Sequence, residues 1–414
     1  MKSLLSFLSL LLIMQTTQAQ VKNTAWLEKL LRKNASPLLL NVLNNPDTFR
    51  HQVIYTKIVR NRNNDPKFIN YYLNVDRERY FNPASMVKMP VAFAALEKLN
   101  PIEGPVDKHS AMLTDSSYNK QISVAEDETS ETGLPSVNHY VKRIFLISDN
   151  DAYNRLYEFV GQKELNQSLW RKGYKDIRIT RRFYTDMTLE ENRHTNQIRF
   201  VKGSKTIYTQ PPAYNDVEFD FGKRVLIGKG HWDKNDKLIE QPMDFTTQNN
   251  APLEDLHQIL RSVLFPQYVP AKMRFDLTED DYNSLYTYMS QKPSESRYPK
   301  YDTAKYFDSY TKFFFFKDGK KAIPDYIRSF NKTGWSYGFL TDVCYIVDFK
   351  NNVEFMLSGN IYVNYDNILN DGKYEYEEVG FPFFKEVGEK IYEYELNRKR
   401  KFIPDLSKWR MVYE

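Results

Sequence analysis

The sequence has little cysteine, few histidines and, beyond its first residues, no long apolar run. A single cysteine, Cys344, stands among 414 residues. No internal disulfide can form, and its setting in DVCYIVDF predicts a small core residue of a strand rather than a nucleophile. The histidines, His51, His109, His139, His194, His231 and His257, show no paired spacing and have no cysteine partners. Zinc chemistry is therefore not expected, and neither a metal nor any other cofactor is called for. The 58 basic and 53 acidic residues give a formal charge of +5 and are scattered along the chain. With no basic stripe, nucleic acid is not an expected partner, and the NRKRK run near the C-terminus reads as a solvated helix end. No internal repeat and no low-complexity tract is present.

Met1 to Ala19 has one lysine, an apolar centre and a small-residue end, the pattern of a secretory signal. Its apolar part is short for a membrane span, and no later run is long enough to cross a bilayer. The expectation is an exported protein, periplasmic or secreted, with no stable membrane anchor after cleavage. The chain beyond Ala19 is long enough for two domains or for one domain with an insertion.

Periodicity predicts a helix over 24–33, a hairpin of strands over 52–60 and 68–75, and helices over 136–147, 151–160, 253–264 and 279–289. Strands are expected again in SYTKFFFF, YIRSFNKTG, GFLTDVCYIVDF and VEFMLSGNIYVN, and a last helix over 376–397. The fold class expected is α/β, an antiparallel sheet flanked by helices. Residues 20–80 and 300–414 would form the α/β domain, and residues 81–299 a mainly helical domain carrying a β-hairpin insertion at about 200–244.

The stretch Phe81 to Asn100, FNPASMVKMPVAFAALEKLN, places Ser85 and Lys88 at the mouth of an apolar helix. Residues three apart lie on one helical face, so an amine at Lys88 can act on the proton of the Ser85 hydroxyl. Burial makes a lysine release its proton more readily, which turns it into a usable base. Pro90 is tolerated only in a first turn and so agrees with a helix beginning near Ser85. The same spacing recurs at Ser117 with Lys120 and at Ser309 with Lys312. The first pair sits in a polar run and the second opens an aromatic one, so neither puts its serine at the start of an apolar helix.

Two further clusters come later in the chain, in order: Ser148-Asp149-Asn150 at a helix junction and Lys332-Thr333-Gly334 on a strand. Together with Ser85 and Lys88 they resemble the three motifs of class A β-lactamases and penicillin-binding proteins. The resemblance implies the β-lactamase/transpeptidase-like fold, with an all-α domain inserted in an α/β domain, and an acyl-enzyme formed at Ser85. It further implies that Ser148 relays a proton to the leaving nitrogen and that Asn150 binds a substrate carbonyl and Lys88. Lys332 and Thr333 would receive a substrate carboxylate, Gly334 would allow close approach, and the backbone N–H groups of Ser85 and Trp335 would form an oxyanion hole. The partner implied is a β-lactam or a cell-wall peptide-like small substrate.

The sequence departs from class A where that family carries a glutamate four residues before an asparagine. If Asn196 is that asparagine, the corresponding position is Asn192, and an amide cannot serve as a general base. Glu191, one residue away, is the candidate rescue. Three readings stand beside one another. One is β-lactamase-like hydrolysis, another a D,D-carboxypeptidase or esterase-type serine hydrolase using the same motifs, and the last a non-catalytic cell-wall-binding module.

Overall fold

The strands near the C-terminus carry apolar residues on both faces, so the sheet they form has to be covered twice. The computed structural model describes residues 24–184 and 186–414, and the signal expected at Met1–Ala19 lies outside them. Helix α1 spans 24–32, followed by α2 (Pro37–Asn44) and α3 (Pro46–Phe49). Strands β1 (Gln52–Arg60) and β2 (Pro66–Leu73) form the expected hairpin, and a 3-10 turn, Ala84–Val87, leads into α4 (Lys88–Leu99). Then come β3 (Ala111–Thr114), α5 (Val137–Ile147), α6 (Asn150–Val160), α7 (Gln162–Arg171) and α8 (Leu189–Arg193).

The insertion is built of short strands: β4 (His194–Thr195), β5 (Ile198–Lys202), β6 (Lys205–Gln210), β7 (Ala213–Tyr214), β8 (Leu226–Ile227), β9 (Gly230–Trp232), β10 (Leu238–Ile239) and β11 (Met243–Asp244). β5 and β6 form a hairpin that β3 extends, while β9 and β10 pair and are joined by β15 (Ile368–Leu369). Helices α9 (Leu253–Leu264) and α10 (Glu279–Ser290) precede β12 (Ile327–Ser336), β13 (Phe339–Asp348) and β14 (Val353–Tyr362), and α11 (Phe381–Asn397) closes the series.

The main sheet is antiparallel throughout, in the order β12-β13-β14-β1-β2. Every residue of β13 and β14 is buried. One face packs against the helical layer through residues such as Val87, Val91, Ile144, Leu256, Phe330 and Val343. The other packs under α1, α2 and α11 through Leu31, Val42, Leu340, Leu357, Phe384 and Ile391. Continuous apolar runs are what a sheet covered on both sides requires.

The run SYTKFFFF is not a strand. Its backbone turns repeatedly, with Phe315 left-handed at φ 69°. Phe313, Phe314, Phe315 and Phe316 instead fill the layer beneath α11. The main-chain N–H groups of Phe313 and Phe314 donate to Asp342 Oδ2, at 3.0 and 3.3 Å. A side-chain carboxylate thus takes the place of a strand neighbour, which the local pattern of the run does not reveal. Lys312 is buried beside it and donates to the carbonyls of Met289 and Ser329 and to Asn331 Oδ1.

The C-terminal segment returns to the sheet at Trp409, whose ring lies edge-on to Phe265, Tyr286, Phe330 and Tyr345 with centroids 4.9 to 5.4 Å apart. Truncating a buried ring that joins a sheet and two helices leaves a large void. Trp409→Ala is expected to cost about 3–5 kcal/mol, read as a lowered midpoint in urea denaturation. A change below about 1 kcal/mol would mean that the segment does not hold the core.

Candidate active site

The Ser85 turn is held under strain. Ala84 adopts a left-handed conformation, φ 44°, which costs a residue with a side chain on the order of 1–3 kcal/mol. Its N–H donates to Asn82 Oδ1 at 2.9 Å and the N–H of Met86 to the Pro83 carbonyl at 2.8 Å. Strand β12 presses against this turn at Gly334. A Cβ there would lie 2.5 Å from Pro83 O and 2.9 Å from the backbone nitrogens of Ser85 and Met86. Only glycine permits that approach, and the half-buried Ser85 and Trp335 both line the cleft that opens there.

Lys88 opens α4 and is fully buried. Its ammonium group donates to the Ser148 carbonyl at 2.5 Å, to Asn150 Oδ1 at 2.6 Å and to Ser148 Oγ at 3.3 Å. These partners exist because α5 ends at Ile147 and Ser148 turns left-handed at φ 60°, while Asp149 caps α6 by accepting from Ala152 N. Asp149 is also paired with Arg143 at 2.8 Å. From the sheet side, Lys332 donates to the same Ser148 Oγ at 2.9 Å and to the Thr333 carbonyl at 2.6 Å. One hydroxyl therefore sits between two buried amines.

Burial pushes Lys88 down to about 7, against the opposing attraction of Asp149. Lys332 lies well below the ordinary lysine range, through burial first and the neighbouring Lys88 charge second. The Phe183 ring stands 5.0 Å from Lys88 Nζ and adds to the dry side of its pocket. A neutral amine at Lys88 near pH 7 is chemically able to accept a proton, and Ser148 is placed to pass one on.

These groups meet a cleft of about 660 Å³ whose floor includes Ser85, Ser148 and Asn150. One wall is Arg181, Arg182, Phe183 and Tyr184, and the other Trp335, Ser336 and Tyr337. Lys234 of the insertion and Tyr310 of the 293–310 segment also reach it. Among the described residues, no aspartate or glutamate lines this cleft.

Ser85, Ser148, Asn150 and Trp335 line the cleft, Lys88 and Lys332 reach it through Ser148, and Gly334 packs on the Ser85 turn, while two other candidates lie apart. Glu191 sits in the first turn of α8, whose N-cap is Thr188: its carboxylate accepts from Thr188 N at 2.7 Å, Asn119 Nδ2 at 2.9 Å and Lys120 Nζ at 3.3 Å. The Thr188 backbone bond leads in holding it below the usual carboxylate range. The correction has a simple cause, since Thr188 and Glu191 complete a capping box and the helix start claims the acid. Asn192 and Asn196 are buried and bonded to backbone carbonyls of Thr188 and Asp115. Thr333 is likewise fully buried with its hydroxyl unpartnered among the described residues, so it does not present itself at a strand edge. Strand alternation places it on the face opposite Gly334.

The basic and aromatic wall at 181–184 was not singled out by sequence. Its signal is the run Arg-Arg-Phe-Tyr, which reads as irregular because its order comes from distant partners. Arg182 donates to Glu158 at 2.8 Å and to the His194 carbonyl at 2.6 Å, and Glu158 is paired again with Arg155 at 3.0 Å. This buried group fixes the loop against α6.

Residues 55–213 match the family model described as "Beta-lactamase enzyme family". A search of curated proteins finds no match. Among solved structures, a β-lactamase from Xanthomonas campestris pv. campestris is similar at 14% identity and TM-score 0.47, with 89% of this chain and 98% of that chain covered. A β-lactamase from Sphaerobacter thermophilus aligns at 12% identity and TM-score 0.43 over 84% and 92% of the two chains. One from Burkholderia ambifaria gives 12% and 0.43 over 87% and 99%. The family match lies across Ser85 and Ser148 and so takes in the first two of the three motifs, while Lys332 lies beyond the matched residues.

Proposed function

We propose that the protein is an exported acyl-transfer hydrolase in which Ser85 attacks the amide carbonyl of a β-lactam or of a related cell-wall peptide. The observation that carries this reading is the Ser148 hydroxyl held 3.3 Å from Lys88 and 2.9 Å from Lys332 at the foot of the cleft that Ser85 lines. Neutral Lys88 takes the proton as Ser85 Oγ bonds to the carbonyl carbon. The oxyanion accepts from the N–H groups of Ser85 and Trp335. Ser148 gives its proton to the leaving nitrogen and recovers one from Lys88, so the amine is neutral again once the acyl-enzyme has formed. Lys332 orients the Ser148 hydroxyl and offers N–H donors to a substrate carboxylate. Export is part of the proposal because Met1–Ala19 has the form of a secretory signal.

Release of the acyl group requires a base for water. Among the described residues no carboxylate lines the cleft to activate that water, and general-base help is commonly worth 10² to 10⁴-fold. This favours a long-lived acyl-enzyme of the peptidase type over rapid β-lactam turnover.

Intact-mass spectrometry after mixing with benzylpenicillin is expected to show a one-to-one adduct that persists well after the free drug is removed. Ser85→Ala should show none while keeping its melting behaviour, since a hydroxyl there contributes at most about 1 kcal/mol of capping. Undiminished labelling of Ser85→Ala contradicts the assignment.

The base is the neutral form of Lys88, so acylation should speed up as pH rises and level off above a midpoint near the Lys88 value of about 7. Stopped-flow acylation between about pH 5 and 9 reads this directly, a range of about two units either side of that value. A rate that climbs without levelling to the top of the range would mean that Lys88 titrates as an ordinary lysine.

A further inference from the structure

Arg181 stands on the cleft wall with no anion to answer it among the described lining residues. Its side chain makes no hydrogen bond to any described residue, and its Nε is buried without a partner. Arg182 is committed to Glu158, and Lys88 and Lys332 to Ser148, while Lys234 of the cleft lining is exposed to solvent. The ionisable groups that face Arg181 are Tyr337, Tyr157, Tyr80 and Tyr153, all held in the neutral phenol form by burial. Desolvation is the leading effect on the guanidinium itself, and it works against the charge. A half-buried cation without a counter-ion is costly unless something that enters the cleft supplies one.

Its position along β12 says on which side of the scissile bond that anion belongs. Lys332 and Ser148 lie at one end of the strand's cleft face, Gly334 is pressed on the Ser85 turn in the middle, and Ser336 and Tyr337 line the other end beside Arg181. Four residues of strand from Lys332 to Ser336 span about 13 Å. Ser148 serves the leaving nitrogen, so Arg181 faces the acyl portion.

We infer that the substrate is an acyl donor bearing a carboxylate on the acyl side of its scissile amide, bound by the Arg181 guanidinium. The inference rests on Ser85 being the attacking residue. The planar fork of arginine matches a carboxylate through two parallel N–H donors, and Asn249 and Gln248 add amide groups at the same end of the cleft.

The test is isothermal titration of the Ser85→Ala protein with N-adipoyl-D-alanine and with N-hexanoyl-D-alanine, which differ only in the terminal carboxylate. The dicarboxylate should bind on the order of 10- to 100-fold more tightly, as a charge-assisted hydrogen bond implies. Adding Arg181→Gln should erase the difference, Arg181→Lys should keep part of it, and a melting curve confirms that each variant is folded. Equal affinities in the Ser85→Ala protein, a preference that survives Arg181→Gln, or no detectable heat with either ligand overturns the inference. Penicillin labelling of the protein with Ser85 in place reads the attacking residue separately. A labelled protein with equal affinities for the two ligands therefore overturns this inference and leaves the Ser85 assignment standing.

Discussion

The Ser148 hydroxyl lodged between the amines of Lys88 and Lys332 is the contact on which the rest of the site depends. Two ammonium groups cannot share one hydroxyl in a dry pocket without strong repulsion, so at least one amine must be held neutral. Neutrality is the property a general base needs. The arrangement therefore produces the base and places its relay in a single step of packing.

That contact demands agreement among three elements distant in sequence. Helix α4 supplies Lys88, the α5–α6 junction supplies Ser148, and β12 supplies Lys332. Gly334 sets how closely β12 meets the Ser85 turn, because a Cβ there would collide with backbone. Behind β12, Asn331 joins Lys312 to Asp342, and Asp342 holds the turning run at Phe313 and Phe314. Burial raises Asp342 to about 6 and lowers Lys312 to about 7. This second buried polar group braces the edge strand that carries Lys332, and so explains a lysine that sequence spacing alone would pair with Ser309.

Much of this was legible in the sequence where the cause is local. The hairpin β1–β2, the helices α5, α9 and α10 and the strands β12 to β14 arise from periodicity, caps and turn residues. The residues in and behind the cleft were legible because two of the three short motifs sit at helix starts and the third on a strand. What escaped is non-local. The phenylalanines of 313–316 alternate with nothing, and their backbone is satisfied by Asp342 from another strand. Glu191 reads as a cleft acid until Thr188 is seen to form a capping box with it. The Arg181–Tyr184 wall is ordered by Glu158, Asn154 and Asn249, none of which is near it in sequence.

The charge state of Lys88 is the point at which this account is most exposed. Titration of the lysine Nζ and Cε resonances by NMR, with the Lys88 signal identified by its loss in Lys88→Arg, measures it without any substrate. The account predicts that this signal titrates near 7, because burial outweighs the attraction of Asp149. A Lys88 signal that titrates at the ordinary lysine value of about 10.4 would contradict it.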